Sequence, residues 1–207
     1  MIDSNLNPID KNRHEHFQPK ICISGAADLA HLPPIAHETA KALGEAIAKQ
    51  GAIILTGATT GYPFWAALGA KKAGGVSIGL SPASSEREHV DGYKLPIDYM
   101  DVIIYTGFGY PGRDLFLTRA SDAVIIGPGR IGTFHEFTVA YEDGKPLGVL
   151  ESDLWQTDEI LHTILDRSHR PKDSVIFDKD PVRLVERILA MVKDRKVDDT
   201  YLKGIRG

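Results

Sequence analysis

Apolar residues in this chain occur as short continuous runs, separated by longer stretches where they recur every three or four positions. The runs at 21–24, 52–56, 76–80, 102–105, 123–126, 147–150 and 175–177 are too short and too uniformly apolar for amphipathic helices. They fit strands buried on both faces. The spacing between them predicts helices over 34–50, 63–73, 114–121, 133–143, 157–167 and 181–194. The first carries Ile35, Leu43 and Ile47 on one side and closes at Gly51; the last carries the stripe Leu184, Val185, Ile188, Leu189 and Val192. Strands alternating with helices predict an α/β fold: a doubly wound, Rossmann-like parallel sheet with helices on both faces.

The same pattern divides the chain into one domain over 19–195, a flexible polar arm over 1–18 and a charged tail over 196–207. The polar stretch 81–96 reads as a long edge loop, with Ser84 to His89 solvated. A length of 207 residues suits one domain with a full core, and 43% hydrophobic with 25% charged residues is ordinary for a globular protein. The net charge of -4 argues against a nucleic-acid partner. With no membrane-length apolar segment and no apolar signal centre near Met1, the expected location is cytoplasmic. Cys22 is the only cysteine, so neither an intrachain disulfide nor a cysteine metal cluster can form; within its apolar run it reads as core. His14 and His16 lie in the polar arm and read as solvated, so no metal ligand is assigned.

In doubly wound sheets ligands bind beyond the carboxyl ends of the strands, where strand order reverses. The loops there are Ser24-Gly25-Ala-Ala-Asp28, Thr56-Gly57-Ala-Thr59-Thr60-Gly61, Ser81–Ser84, the loop from Thr106 to Arg113, and Gly127-Pro-Gly129-Arg130-Ile131-Gly132-Thr133. Four of the five contain glycine and most carry hydroxyls, the composition of a phosphate- or nucleotide-binding edge. The last loop is the most informative. A buried run ends in Gly-Pro-Gly, and a helix beginning near Ile131 or Gly132 would turn its first amides toward an anion. Glu136 follows one turn later. Neither the G-x-G-x-x-G dinucleotide fingerprint nor a phosphate loop ending in Gly-Lys-Ser/Thr is present, which argues against a nicotinamide dehydrogenase and a P-loop enzyme.

Pro128-Gly129-Arg130-Ile131-Gly132-Thr133-Phe-His-Glu136 resembles the P-G-G-x-G-T-x-x-E motif of the LOG ("lonely guy") family, a Rossmann-like group often mislabelled as lysine decarboxylases. Arg113, at its distance from Asp122-Ala123, matches the spacing of that family's catalytic arginine, and the loop Thr56 to Gly61 is similar to its G-G-G-x-x-G loop. The resemblance covers roughly residues 21–150. Arg130 stands where the motif has its second glycine, and could either crowd the turn or clamp a phosphate.

The resemblance implies a homodimeric phosphoribohydrolase that cleaves the N-glycosidic bond of a nucleoside 5′-monophosphate, with no metal or redox cofactor. Glu136 would stabilise the developing sugar cation, and Arg113 would hold the substrate and keep Glu136 ionised. The loop Gly129 to Thr133 would bind the phosphate, with the Thr133 hydroxyl as a capping donor. Gly57, Thr59, Thr60, Gly61, Ser24 and Gly25 would line the nucleotide. Against this stands a reading in which Arg113 and Glu136 are a structural ion pair. The protein is then a non-catalytic nucleotide binder or a carrier of a phosphorylated, molybdopterin-type cofactor, a role that Arg130 favours. Phe108 and Tyr110 are stacking candidates and Asp28 a sugar-hydroxyl or cap candidate; the helix start Tyr62-Pro-Phe-Trp65 is a candidate contact between subunits.

Overall fold

A computed structural model describes residues 18–197. The expected arm up to residue 17, with His14 and His16, and the expected tail beyond residue 197 lie outside the described residues. Seven parallel strands form one sheet: β1 (Lys20–Ser24), β2 (Ile53–Thr56), β3 (Ser77–Ser81), β4 (Val102–Tyr105), β5 (Ala123–Ile126), β6 (Leu147–Leu150) and β7 (Val175–Asp178). Their order is β4-β3-β2-β1-β5-β6-β7. The chain therefore builds outward from β1 in one direction, then crosses back to lay β5 on the other side of β1. That reversal is the topological switch point, and it sets Ser24 beside Ile126.

Six α-helices cover the sheet: α1 (Ile35–Lys49), α2 (Tyr62–Lys72), α3 (Gly109–Ala120), α4 (Ile131–Glu142), α5 (Thr157–Arg167) and α6 (Pro181–Val197). The two faces of the strands feed two separate cores. Ile21, Ile23, Ile54 and Ile125 meet Leu43 and Ile47 of α1, Ala66 of α2, and Leu184 and Ile188 of α6. Cys22, Leu55, Val124 and Ile126 meet Leu117 of α3, Phe137 of α4, and Leu161 and Leu165 of α5. The continuous apolar runs are thus strands with both faces covered, as their composition requires.

Four sequence expectations are corrected. The third helix starts at Gly109 rather than 114, because Tyr110-Pro-Gly112 form its first turn, where a proline costs no hydrogen bond. The polar loop contains a π-helical turn over Glu88–Gly92, and His89 is buried, not solvated. Its Nε2 lies 2.9 Å from the Pro96 carbonyl, so that nitrogen donates, and Nδ1 accepts from Ser81 Oγ at 2.8 Å. Within the helix start Tyr62-Pro-Phe-Trp65, Tyr62 is wholly buried with its hydroxyl on Thr39 Oγ1 at 3.2 Å, which leaves only Phe64 and Trp65 accessible to a partner subunit. Helix α6 continues to Val197, past the expected end at 194.

Asp178 closes β7 in a buried position and takes Arg183 and Arg187 on its carboxylate at 2.6 and 3.0 Å. The Arg183 hydrogen bond is the main reason its pKa is depressed. A depressed carboxylate contributes stability that is present above its unfolded pKa and lost as the pH falls through the folded one. Both arginines are largely solvated, which discounts the pair. Asp178→Asn is expected to cost about 1–2 kcal/mol at pH 7. In urea denaturation the difference from the parent should vanish on titration to acid.

Candidate functional site

Three loops meet above the switch point and are tied by main-chain hydrogen bonds. Ala26 N–H donates to Pro128 O at 2.8 Å, joining the loops after β1 and β5, and Tyr62 N–H donates to Ala26 O at 2.8 Å. Thr60 Oγ1 adds a bond to Ala27 O at 2.8 Å, bringing in the loop after β2. With the first turns of α3 and α4 they enclose a cavity of about 300 Å³. That volume lies at the lower end of the range for small-molecule sites.

Its floor is a buried charged cluster. Arg113 and Asp114 from α3 and Glu136 from α4 are each about 5–6% exposed. Arg113 Nε stands 3.2 Å from Asp114 Oδ1, at an angle that makes no hydrogen bond, so this nitrogen lacks a hydrogen-bond partner. Asp114 Oδ2 faces His135 Nδ1 at 3.0 Å. Glu136 accepts a hydrogen bond from Ser24 Oγ and also meets Asp114. Two buried carboxylates thus lie beside one guanidinium, Asp114 in an ion pair with it and Glu136 in its field. Burial raises the pKa of Glu136 to about 7, with Asp114 adding to the rise; Arg113 and Ser24 oppose it without cancelling it. Arg113 favours the ionised form of Glu136, but desolvation is the larger effect, so the carboxyl is only partly ionised near neutral pH.

The position of Arg113 depends on Gly57. A methyl group at residue 57 would lie 1.3 Å from Arg113 Nη1, so the guanidinium occupies the space a side chain would take. The next residue, Ala58, has a left-handed backbone (φ 50°), stabilised by its N–H on Thr56 Oγ1 at 3.2 Å. Glycine adopts that conformation without strain, so the strand-two loop holds some local strain beside the arginine.

The cavity rim is of opposite character. Helix α4 begins at Ile131, as its sequence predicts, and its first helical bond runs from Phe134 N–H to Arg130 O at 2.9 Å. The amides of Ile131, Gly132 and Thr133 precede that bond, and no side chain caps them. Thr133 is buried, and Gly129 makes room for it, since a Cβ there would be 2.0 Å from Thr133 Oγ1. Arg130 is exposed, has φ −129°, and forms no ion pair among the described residues. It lines both this cavity and a wider groove of about 740 Å³ beside Trp155 and Asp158. The φ of Arg130 is negative, so a side chain there brings no left-handed backbone strain.

Of the residues singled out from sequence, Gly25, Gly57, Thr59, Arg113, Arg130, Gly132, Thr133 and Glu136 line the cavity together. Ser24 lies beneath it on the carboxylate. The Gly129 amide is spent on Thr157 Oγ1 at 2.8 Å, so it is not available to a ligand. Ile131 is 81% exposed and contributes only its main chain. Thr60 and Gly61 border a separate shallow groove with Trp65. Tyr110 lines the cavity over Arg113, at 5.7 Å, whereas Phe108 stacks on Phe116 outside it. Asp28 lines the cavity while accepting the Ala30 N–H at 2.9 Å. Asp114 and Thr157 are the residues that the sequence reading missed. Among the described residues no group of three or more His, Cys, Asp and Glu could hold a metal, and no helix is long and apolar enough to cross a membrane.

The Glu136 proton has a measurable consequence. A carboxyl whose folded pKa is raised contributes stability that is complete below its unfolded pKa near 4.5 and lost as the pH rises to about 7. Glu136→Gln cannot ionise, so relative to the parent it should gain up to about 3 kcal/mol between pH 4.5 and pH 8. Melting curves of the two proteins at those pH values test this, and a pH-independent difference would show that Glu136 is ionised throughout.

Fold and site together define a Rossmann-like α/β domain with a small-molecule cavity at its switch point, cationic at the rim and protonatable at the floor. The chain belongs to the SLOG cluster4 family, whose pattern it matches over residues 18–185, and the LOG resemblance thus holds at the level of this LOG-related superfamily. An uncharacterized protein of Archaeoglobus fulgidus is 30% identical over 109 residues, which cover 53% of this chain and 66% of that protein. Among solved structures, the molybdenum cofactor binding protein of Rippkaea orientalis is 28% identical with a TM-score of 0.68, the match covering 86% of this chain and 99% of that one. The molybdenum cofactor carrier protein of Chlamydomonas reinhardtii is 29% identical with a TM-score of 0.66, covering 84% and 99%.

Proposed function

We propose that this protein binds and carries a phosphorylated organic cofactor of the molybdopterin type, seated in the switch-point cavity as cargo. The observation that carries this reading is the division of labour among the cations. Arg113 is ion-paired with buried Asp114 and lies in the field of buried Glu136, while Arg130 stands exposed at the rim beside Gly132 and Thr133 without a counter-ion among the described residues. A phosphate monoester fits that rim: the guanidinium supplies charge-assisted hydrogen bonds and the start of α4 supplies uncapped amides. The two solved proteins at 28% and 29% identity, named for binding or carrying the molybdenum cofactor, support the same ligand class.

The hydrolase reading retains one specific support, the Arg113–Glu136 pair on the cavity floor. Glycosidic cleavage through Glu136 calls for an ionised carboxylate near the sugar. Here the carboxyl is raised to a pKa of about 7, so that it is only partly ionised at neutral pH, and it is held by Ser24. One experiment separates the two readings. The purified chain is titrated calorimetrically with molybdopterin, with a phosphorylated pterin and with the same pterin lacking phosphate, and is incubated in parallel with nucleoside 5′-monophosphates. Binding that requires the phosphate, with no free base or ribose 5-phosphate released, is the expected result. Turnover of a nucleotide that is abolished in Glu136→Gln would replace the carrier with the hydrolase.

A further inference from the structure

The switch-point cavity opens at its cationic end onto a second space. Arg130 is the one residue common to its lining and to that of the wider groove beside Trp155 and Asp158. The groove holds about 740 Å³ against about 300 Å³ for the cavity, so the larger volume lies on the far side of the arginine. Its wall is tied to the loop after β5. Thr157 Oγ1, at the start of α5, accepts from the Gly129 N–H at 2.8 Å and donates to the Gly129 carbonyl at 3.0 Å.

Two kinds of side chain line this groove. Leu154 and Ile160 are 58% and 42% exposed, and the half-buried Trp155 is anchored by its Nε1–H on the Leu150 carbonyl at 3.2 Å. They form a fixed apolar platform suited to a flat ring. Beside them stands Asp158, whose Oδ2 accepts the Ser152 N–H at 3.2 Å while its buried Oδ1 has no hydrogen-bond partner among the described residues. A buried acceptor left without a donor is costly, so this end of the groove calls for a hydroxyl or an amine. Glu159 adds a further negative charge, whereas Asp153 is paired with Lys179 at 2.9 Å. Arg130 is the only lysine or arginine in the lining. A phosphate is therefore favoured at the Arg130 end and repelled from the Asp158 end.

We propose that the groove seats the nucleoside half of a pyrophosphate-linked dinucleotide, with the base on Trp155 and Leu154 and the ribose diol on Asp158. The inference rests on the carrier reading and extends it. The first half of the ligand occupies the cavity, and the bridging phosphates lie at Arg130 and the uncapped amides at the start of α4. Three observations select this ligand. The anion site stands between two spaces, so its phosphate carries a substituent on each side, which a pyrophosphate bridge supplies and a monoester does not. The ribose diol donates where Asp158 lacks a donor, the part that acidic residues play toward ribose in other doubly wound sheets. The platform is apolar and anchored, as a neutral base requires and a second charged group does not.

Calorimetric titration of the full chain tests the proposal with three probes. They are 6-hydroxymethylpterin monophosphate, the same pterin joined to adenosine through a pyrophosphate, and that conjugate built on 2′,3′-dideoxyadenosine. The parent should bind the adenosine conjugate about 10-fold or more tighter than the monophosphate, and the dideoxy conjugate should lose most of that gain. Leu154→Asp, at an exposed position, should bind the adenosine conjugate no more tightly than the monophosphate, with an unchanged melting temperature of the free protein. A monophosphate that binds, with no gain from the attached adenosine, overturns this inference and leaves the carrier reading standing. A gain that survives in Leu154→Asp, or that the dideoxy conjugate keeps, overturns it as well. A chain that binds none of the probes overturns both readings. Binding of the adenosine conjugate alone, lost in Leu154→Asp, supports the groove.

Discussion

Gly57→Ala is expected to lower folding stability by about 1–3 kcal/mol, the cost of inserting a methyl group into a packed site and displacing the guanidinium it meets. Its added methyl would coincide with the Arg113 guanidinium, 1.3 Å from Nη1. The glycine packs against the arginine's charged end, in a cavity wall fixed by hydrogen bonds between loops. Moving the guanidinium leaves Asp114 and Glu136 facing each other, both buried, with the His135 ring beside Asp114. At pH 8, where Glu136 is ionised, the loss should shrink in a Glu136→Gln background, because one of the two carboxylates beside the cation is gone. Urea denaturation of the four proteins in this cycle checks both statements. Gly57→Ala within about 0.5 kcal/mol of the parent would mean that Arg113 is not confined as described.

The elements were legible in the sequence because the signals that specify them are local. The run Ala123–Ile126, the Gly-Pro-Gly turn and the start of α4 at Ile131 can be read from adjacent residues, and the doubly wound class follows from the alternation of runs and periodic stretches. The pairing of Arg113 with Glu136 came through family resemblance, and the two do line one cavity. What could not be read is what depends on strand order. Ser24 reaches Glu136 across 112 positions only because β5 returns to lie beside β1. Asp114 was hidden by the Gly-Pro composition of the first turn of α3, which resembles a loop, and by the outward apolar face of that helix, which turns its polar residues inward. The burial of His89 has the same kind of cause: its partners Ser81 and Pro96 O lie outside the polar run that makes it look solvated. The charge state of Glu136 is also a tertiary quantity, set by how much water the packed loops exclude.

Arg130→Glu is expected to weaken binding of a phosphorylated ligand by about 100-fold or more, while leaving the melting temperature of the ligand-free protein unchanged. The first part follows from charge. A hydrogen bond to an ionised partner contributes about 1.5–3 kcal/mol, and the reversed side chain adds repulsion at the same spot. The second part follows from exposure: Arg130 has no ion pair among the described residues to lose, and its negative φ suits either side chain. Arg130→Ala should fall between the two. The Arg130 contribution should decline with added salt, as expected for a rim charge open to solvent. Calorimetric titration of a phosphorylated pterin at two ionic strengths, with parallel melting curves, reads all of these quantities. Equal affinities for parent and Arg130→Glu would move the phosphate away from the start of α4. If nucleotide turnover survived in Arg130→Glu but not in Glu136→Gln, the floor of the cavity, and not its rim, would be the functional end of the site.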